Sequence, residues 1–223
     1  MMRVGVLGGT FDPIHVGHLD LATAARDALS LDRVVLLPSH VPPHRDKPGA
    51  SAAHRFAMAA LAIANQAWLV TSDFELEAAG PSYTAATLDR LDALGVETLS
   101  LFFILGADAF GDIETWKDYP AILDRCHFVV VSRPGTPAAD LKTLLPNLTP
   151  RMVDAGGEIG SKPRVVLVPA TTAPVSSTEV RTRLAAGQSV AGLVPDPVAA
   201  YITRHGLYAP GGGWPDQTGH PRS

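Results

Sequence analysis

Residues 8–18 read Gly8-Gly9-Thr10-Phe11-Asp12-Pro13-Ile14-His15-Val16-Gly17-His18, and they join two apolar runs of different character. The run before them, residues 3–8, has the length and composition of a buried β-strand. The run after them, residues 19–29, is rich in alanine and leucine and is typical of a helix. A glycine-rich turn from a strand into a helix is common in α/β proteins, which bind ligands outside the carboxyl ends of parallel strands.

The same alternation of strand and helix continues along most of the chain. Residues 101–105 and 128–131 are apolar without interruption, as expected of strands that are buried between two helical layers. The pattern therefore predicts an α/β fold, with a single doubly wound parallel sheet and helices on both faces. Predicted strands cover residues 3–8, 33–38, 68–71, 98–106, 127–132 and 164–168, and predicted helices cover residues 19–29, 51–65, 82–94, 176–187 and 196–206.

The sequence contains no internal repeat and no convincing domain boundary. We expect one domain over residues 1–209, in which residues 145–163 form an irregular surface excursion. Residues 210–223 begin with a proline and three glycines and continue with mostly polar residues, so we expect a disordered C-terminal tail.

Composition limits the class of protein. The formal net charge of −4 argues against a general binder of nucleic acid or anionic membranes, which needs a strong basic balance. Cys126 is the only cysteine, so an internal disulfide and a cysteine zinc cluster are excluded. No apolar run approaches the ~20 residues of a membrane helix, and no signal-peptide pattern is present. We therefore expect a soluble, cytoplasmic protein.

The loop over residues 8–18 has the features of an anion site. Gly8 and Gly9 remove side chains where a phosphate would approach main-chain N–H groups, and a helix start adds free N–H groups with a partial positive charge. His15 and His18 can share one face of the first helical turn, from which both imidazoles can donate hydrogen bonds to phosphate oxygens. Two alternatives stay open, since the glycines can be structural and a His-x-x-His pair can hold a metal.

A second helix start near the other end has similar properties. Ser177, Thr178 and the free N–H groups of this turn form a second anion site, and Arg181 can reach back to it. The spacing of Ser176 and Glu179 is that of a capping box, which explains Glu179 better than a catalytic role does. Serine-rich capping before an arginine is a weak signal alone, and it gains weight as the partner of the first loop.

Residues 8–18 resemble the signature of the HxGH nucleotidyltransferase superfamily, with His15-Val16-Gly17-His18 as the name motif. Their sequence is similar to that of bacterial nicotinate-nucleotide adenylyltransferases in particular. The related phosphopantetheine adenylyltransferases usually have threonine where this chain has His15. Ser176–Arg181 resembles the superfamily's Ser-Ser-Thr-x-x-Arg motif, which grips the β- and γ-phosphates of ATP. The resemblance implies a Rossmann-like nucleotidyltransferase fold.

The resemblance also implies a reaction and a set of residues. ATP and nicotinate mononucleotide would give deamido-NAD and pyrophosphate, a step of NAD biosynthesis, with Mg²⁺ bound mainly through substrate phosphates. His15, His18 and Arg181 would be the catalytic residues. The implied ATP-binding residues are Gly8, Gly9, Thr10, Phe11, Gly106, Asp108, Arg133, Ser177 and Thr178, with Asp108 placed to bind ribose hydroxyls and Arg133 in the adenine-side loop.

The mononucleotide would be bound by a second set of residues, namely His44, Arg45, Ser82, Tyr83, Thr84 and Trp116. In this reading the N–H groups of the helix that Ser82 opens receive the nicotinate carboxylate, and Trp116 stacks on the pyridine. Plainer readings are an exposed loop for His44, a simple helix cap for Ser82 and a core tryptophan for Trp116. Another phosphorylated acceptor and a catalytically silent nucleotide sensor are the rival functions, and a homo-oligomer is left open.

Overall fold

The computed structural model describes residues 2–41, 48–78 and 80–209, and within them seven β-strands form one sheet in which all neighbours are parallel. The strand order is β3-β2-β1-β4-β5-β7-β6. The strands are β1 Val4–Gly9, β2 Arg33–Pro38, β3 Leu69–Thr71, β4 Leu101–Gly106, β5 His127–Val131, β6 Met152–Asp154 and β7 Val165–Val168. The α-helices are α1 Val16–Leu29, α2 Ala52–Ala62, α3 Thr84–Ala93, α4 Ala107–Gly111, α5 Leu141–Leu144, α6 Ser177–Ala185 and α7 Asp196–His205.

Hydrophobic cores lie on both faces of the sheet, because successive strand residues point to opposite sides. Leu7 and Ile104 face a core that includes residues of α1, α2, α6 and α7. Val6 and Phe103 face a second core, which includes residues of α3, α4 and α5. Two covered faces require strands that are apolar throughout, and the prediction of a doubly wound parallel sheet is confirmed.

The order of the strands places the loops that follow β1 and β4 side by side. From β1 the chain builds outward through β2 to β3, and then returns to place β4 on the other side of β1. Such a reversal opens a crevice at the carboxyl ends of the two central strands, where open α/β sheets bind ligands.

The structure differs from the sequence prediction in its details. Residues 145–163 are not wholly irregular, because β6 lies within them and pairs in parallel with β7. Residues 98–100 form a 3₁₀ turn ahead of β4 rather than its first residues. Helix α1 begins three residues earlier than predicted, because His15 forms its N-cap. A three-residue strand and two helices of four and five residues are too short to leave a periodic pattern.

Residues 210–223 lie outside the described residues, so the domain over residues 1–209 and its disordered tail stay predictions. No helix in the described part of the chain combines the length and the apolar character needed to cross a membrane.

Candidate active site

Asp12 is the structural centre of the loop that follows β1. Its side chain is almost fully buried, and its carboxylate accepts hydrogen bonds from the main-chain N–H of Gly49 at 2.8 Å and of Ala50 at 3.0 Å. The hydroxyl of Tyr208 donates a third hydrogen bond to the same carboxylate at 2.7 Å. Asp12 therefore ties the loop to the residues ahead of α2 and to the end of the described chain, a wider task than forming a turn.

His15 and His18 stack on each other at the start of α1. Their ring centroids are 3.7 Å apart at an interplanar angle of 24°, and the main-chain N–H of His15 donates to Nδ1 of His18 at 3.2 Å. A neutral His18 that accepts at Nδ1 carries its proton on Nε2, which is then a donor. The ring of Phe11 meets His18 edge-on at 5.0 Å. These contacts fix the orientation of both imidazoles.

His15 is buried and electrically neutral. It is 3% exposed, and burial together with the nearby Arg133 guanidinium lowers the pKa of His15 from 6.5 to about 4. The main-chain N–H of His18 approaches the His15 side chain in a capping-box arrangement, but within the described residues no hydrogen bond of good geometry forms at Nδ1 of His15. A buried polar atom left without a partner is costly, and such atoms are found at sites where a ligand supplies the partner.

Arg133 brings a second unpartnered buried group to the same place. Its Nη2 donates to the carbonyl of Val175 at 3.2 Å, whereas its Nη1 is buried and has no partner among the residues described. A Cβ on Gly17 would lie 3.0 Å from Nη1 of Arg133 and 3.2 Å from Nδ1 of His15, so both atoms face the start of α1. A guanidinium N–H, an imidazole and a helix N-terminus form a suitable site for an anion.

The start of α6 meets the loop after β1 directly. The hydroxyl of Ser177 donates to the carbonyl of Pro13 at 2.9 Å, and Nη1 of Arg181 donates to the carbonyl of Asp12 at 2.7 Å. Nη2 of Arg181 donates to the hydroxyl of Thr178 at 3.2 Å. Residues that are more than 160 positions apart in the sequence thus form one surface.

Only one of the two hydrogen bonds of the predicted capping box between Ser176 and Glu179 forms. The hydroxyl of Ser176 accepts a hydrogen bond from the main-chain N–H of Glu179 at 3.1 Å. The Glu179 carboxylate instead accepts from Nε and Nη2 of Arg183, at 3.1 and 2.8 Å. The capping prediction is therefore wrong for the Glu179 side chain, because a guanidinium one turn along the helix provides a charged donor.

The other predicted ATP-binding residues surround this surface. A Cβ on Gly8 would lie 3.2 Å from the ring of Phe103, and one on Gly9 would lie 2.9 Å from the ring of Phe11. Both glycines therefore have a packing reason besides the approach of a phosphate. The Phe11 ring is 1% exposed and Thr10 is half-buried, so Phe11 can offer a ligand only its main chain.

Gly106 and Asp108 stand beside Arg133 at the end of β4. A Cβ on Gly106 would lie 2.9 Å from Cγ of Arg133, so a glycine at this position allows the aliphatic part of the Arg133 side chain to pack against the main chain. Asp108 lies in the first turn of α4 with an exposed side chain, and Arg133 also lines a cleft of about 470 Å³ next to Pro137 and Thr171. Asp108 does not line this cleft, and the binding of ribose by Asp108 stays a prediction.

The residues predicted to bind the mononucleotide form a second group. The Ser82 hydroxyl accepts a hydrogen bond from the main-chain N–H of His40 at 2.9 Å, and Tyr83 is the N-cap of α3, which begins at Thr84. Nζ of Lys117 lies 5.4 Å from the Tyr83 ring, which brings the neighbourhood of Trp116 to the start of α3. Trp116 is half-buried and packs against the core on that face.

Two members of that group, His44 and Arg45, lie outside the described residues, so their binding of the mononucleotide stays a prediction. The stacking role of Trp116 also stays a prediction, since the contacts of its ring within the core are those of a structural tryptophan as well.

Arg55 connects the residues predicted to bind ATP with those predicted to bind the mononucleotide, and the sequence analysis did not identify it. Its guanidinium is 1% exposed and donates to the carbonyls of Thr10 and Ser39 at 2.7 Å each, and to His40 at 3.0 Å and Ala50 at 3.3 Å. A signal was present in the sequence. Arg55 shares its helix face with Met58, Ala59 and Ala62, the buried residues of α2, so the helical period places this arginine inside.

The described residues provide no metal cage. No group of three histidine, cysteine or acidic side chains in them is arranged to hold an ion, and the donors around Asp12 already occupy its carboxylate. Binding of Mg²⁺ through substrate phosphates and water, as is usual in nucleotide sites, stays a prediction.

Comparisons with known proteins agree with this architecture. Residues 6–183 match the cytidylyltransferase-like family. A relative from Desulfatibacillum aliphaticivorans, named "Probable nicotinate-nucleotide adenylyltransferase", is 41% identical over 218 residues, which cover 93% of this chain and 100% of the relative. A relative from Roseiflexus sp. (strain RS-1) with the same name is 43% identical over 206 residues, which cover 92% and 97%.

A solved structure has the same fold at lower sequence identity. The nicotinic acid mononucleotide adenylyltransferase of Plasmodium falciparum, complexed with NaAD, superposes with a TM-score of 0.73 at 17% identity, and the match covers 93% of this chain and 98% of that one. The length and identity of the matches to the curated relatives decide the assignment. The chain belongs to the nicotinate-nucleotide adenylyltransferase family, within the cytidylyltransferase-like proteins.

Proposed function

We propose that this protein transfers the adenylyl group of ATP to nicotinate mononucleotide, giving deamido-NAD and pyrophosphate in the biosynthesis of NAD. The observation that carries the proposal is the junction of two helix beginnings, at which Arg181 donates to Asp12 at 2.7 Å and Ser177 to Pro13 at 2.9 Å. Two N-terminal turns that converge on one surface can bind the two ends of a polyphosphate.

The proposed chemistry needs no general base. A phosphate monoester has its second pKa near ~6, so the phosphate of the mononucleotide is already largely a dianion at neutral pH and can attack the α-phosphorus in line. Catalysis then consists of holding two anions together and stabilising the charge that develops. The residues at the junction are hydrogen-bond donors and cations, which is the set that such a reaction requires.

Roles at the ATP end follow from the contacts. His18, with its Nε2–H directed by the bond at Nδ1, would donate to the α-phosphate in the transition state, and the neutral His15 would donate with it. Nη1 of Arg133 would reach an anionic oxygen beside His15. Arg181 would stabilise the departing pyrophosphate together with the N–H groups of Ser177 and Thr178.

Roles at the acceptor end rest more on family likeness. The N–H groups at the start of α3 would receive the nicotinate carboxylate near Ser82, Tyr83 and Thr84, and Trp116 would stack on the pyridine. Mg²⁺, which neutralises charge on the phosphates, would be held by their oxygens and by water. A cytoplasmic location, and the absence of nucleic-acid or membrane partners, belong to the same proposal.

A panel of acceptors tests the reaction. Purified protein with ATP and Mg²⁺ should release pyrophosphate with nicotinate mononucleotide, and much more slowly with nicotinamide mononucleotide or phosphopantetheine. Faster release with either of the other acceptors would reassign the substrate within the superfamily. ATP binding without pyrophosphate release on any acceptor would indicate a nucleotide sensor instead.

A further inference from the structure

The last described turn of the chain returns to the loop that follows β1. Helix α7 ends at His205, and Gly206 takes a left-handed φ of 60°. The main-chain N–H of Leu207 donates back to the carbonyl of Ile202 at 3.1 Å, which closes a Schellman-type turn. This reversal of the chain carries Tyr208 to Asp12.

Tyr208 is held tightly at that place. Its hydroxyl lies 2.7 Å from Oδ1 of Asp12, across 196 residues of sequence. A Cβ on Gly49 would lie 3.2 Å from two ring carbons of Tyr208 and 3.7 Å from Cδ of Arg181, so the ring and the arginine stem pack against the same glycine. Tyr208 also has a φ of +64°, a left-handed conformation that is strained for a bulky residue and that is retained where the surroundings impose it.

The hydroxyl of Tyr208 is a constant donor. Burial raises the pKa of Tyr208 well above its usual value, and the adjacent Asp12 carboxylate raises this pKa further. The phenol therefore stays protonated throughout the physiological range. The Tyr208 hydroxyl is the third hydrogen-bond donor to the Asp12 carboxylate, besides the N–H groups of Gly49 and Ala50. Arg181 contacts Asp12 as well: its Nη1 donates to the main-chain carbonyl and lies 3.7 Å from the carboxylate oxygen Oδ2.

We propose that Tyr208 is a positioning residue for adenylyl transfer, whose hydroxyl fixes Asp12 so that Asp12 orients the Arg181 guanidinium toward the pyrophosphate end of ATP. This inference rests on the proposed function. In this proposal Tyr208 acts on the substrate only through Asp12 and Arg181. Its contribution passes through one hydrogen bond to Asp12 and one from Arg181, so it depends on the presence of the arginine.

Tyr201, in the helix α7 that precedes Tyr208, offers a matched control. Its hydroxyl lies 2.9 Å from Nδ1 of His54, away from Asp12. Tyr208→Phe and Tyr201→Phe each remove one hydroxyl and one hydrogen bond and keep the ring. We expect Tyr208→Phe to lower kcat/KM for ATP and to raise the Kd of inorganic pyrophosphate, each about tenfold, as for the loss of orientation in a charged hydrogen bond. The KM for nicotinate mononucleotide should not change, and Tyr201→Phe should match the wild type.

The Arg181→Met background separates positioning of Arg181 from simple anchoring of the segment that follows α7. Because Tyr208 acts through Arg181, adding Tyr208→Phe to Arg181→Met should change the pyrophosphate Kd by less than about twofold. A full additional loss in that background, an equal loss in Tyr201→Phe, or a wild-type Tyr208→Phe would each overturn the inference. Pyrophosphate affinity is measured by calorimetry without turnover, so this test gives an answer even if the acceptor panel reassigns the reaction.

Discussion

Gly17 offers the sharpest test of the site, because its missing side chain leaves space that two proposed ligand-binding groups occupy. In Gly17→Ala the new Cβ would lie 3.0 Å from Nη1 of Arg133, and 3.2 Å from both Nδ1 of His15 and Cγ1 of Val175. Comfortable contacts are ~3.5–4.0 Å, so these groups must separate by roughly half an ångström. The end of the Arg133 side chain can move away, whereas the buried His15 ring can separate from the new methyl group only together with the start of α1.

The expected effects on stability and activity differ in size. Overpacking costs about 1–3 kcal/mol, and replacing a helical glycine by alanine returns about 0.5–1 kcal/mol, so the free energy of unfolding should fall by no more than about 2.5 kcal/mol. The protein should remain folded. Misplacement by 1 Å can cost ~10²-fold in rate, so half of that should lower kcat/KM for ATP roughly tenfold.

The assay is pyrophosphate release with ATP varied at saturating nicotinate mononucleotide, alongside urea unfolding. Gly111→Ala is the control, because a Cβ at this glycine in α4 would meet its nearest neighbour, Cδ2 of Leu144, at an ordinary 3.4 Å. Gly111→Ala should retain wild-type kinetics. Wild-type kcat/KM in Gly17→Ala, or an equal loss in the control, would refute the placement of His15 and Arg133 at the triphosphate.

Three further predictions use the same assays. His18→Ala should cut kcat by ~10²–10³-fold with the fold intact, the usual cost of losing one transition-state donor, and near-normal kcat would remove His18 from the mechanism. Trp116→Ala should raise KM for the mononucleotide much more than KM for ATP, and equal effects would contradict stacking. Burial lowers the pKa values of His15 and His127 from 6.5 to about 4, so the unfolded chain takes up protons first on acidification. The free energy of unfolding should therefore fall by about 2 kcal/mol for each histidine between pH 7 and pH 5, and His127→Asn should lose half of this dependence, whereas a flat profile would contradict it.

The sequence predicts the sheet well because each central strand carries its own evidence of burial. Residues 101–105 and 128–131 are apolar on both faces, and both became central strands. Strand β6 was missed because Met152–Asp154 is too short to show a period and depends on its pairing with β7. The local sequence pattern therefore predicts strands that are apolar on both faces, whereas short strands such as β6 form only through pairing with a neighbouring strand.

The residues of the candidate site also divide into those that local motifs predict and those that only the folded structure reveals. The two helix beginnings are visible as local motifs, but nothing in either motif shows that Arg181 bonds to Asp12 or that Tyr208 does so. Those contacts join residues 169 and 196 positions apart, and a single sequence contains no record of them. Arg55 lies between these cases, since its helical period predicts burial while its four carbonyl partners depend on the folded loops.

Nδ1 of His15 and Nη1 of Arg133, which have no hydrogen-bond partner in the described part of the chain, have a consequence for engineering this protein. Each desolvated group lowers the stability of the ligand-free fold, and under the proposed function a bound phosphate group would recover part of this loss as affinity. Substitutions that replace either residue with an apolar one should thus be found among thermostabilised variants, and those variants should bind nucleotide poorly. Selection for heat resistance alone would then remove the groups that we propose for nucleotide recognition.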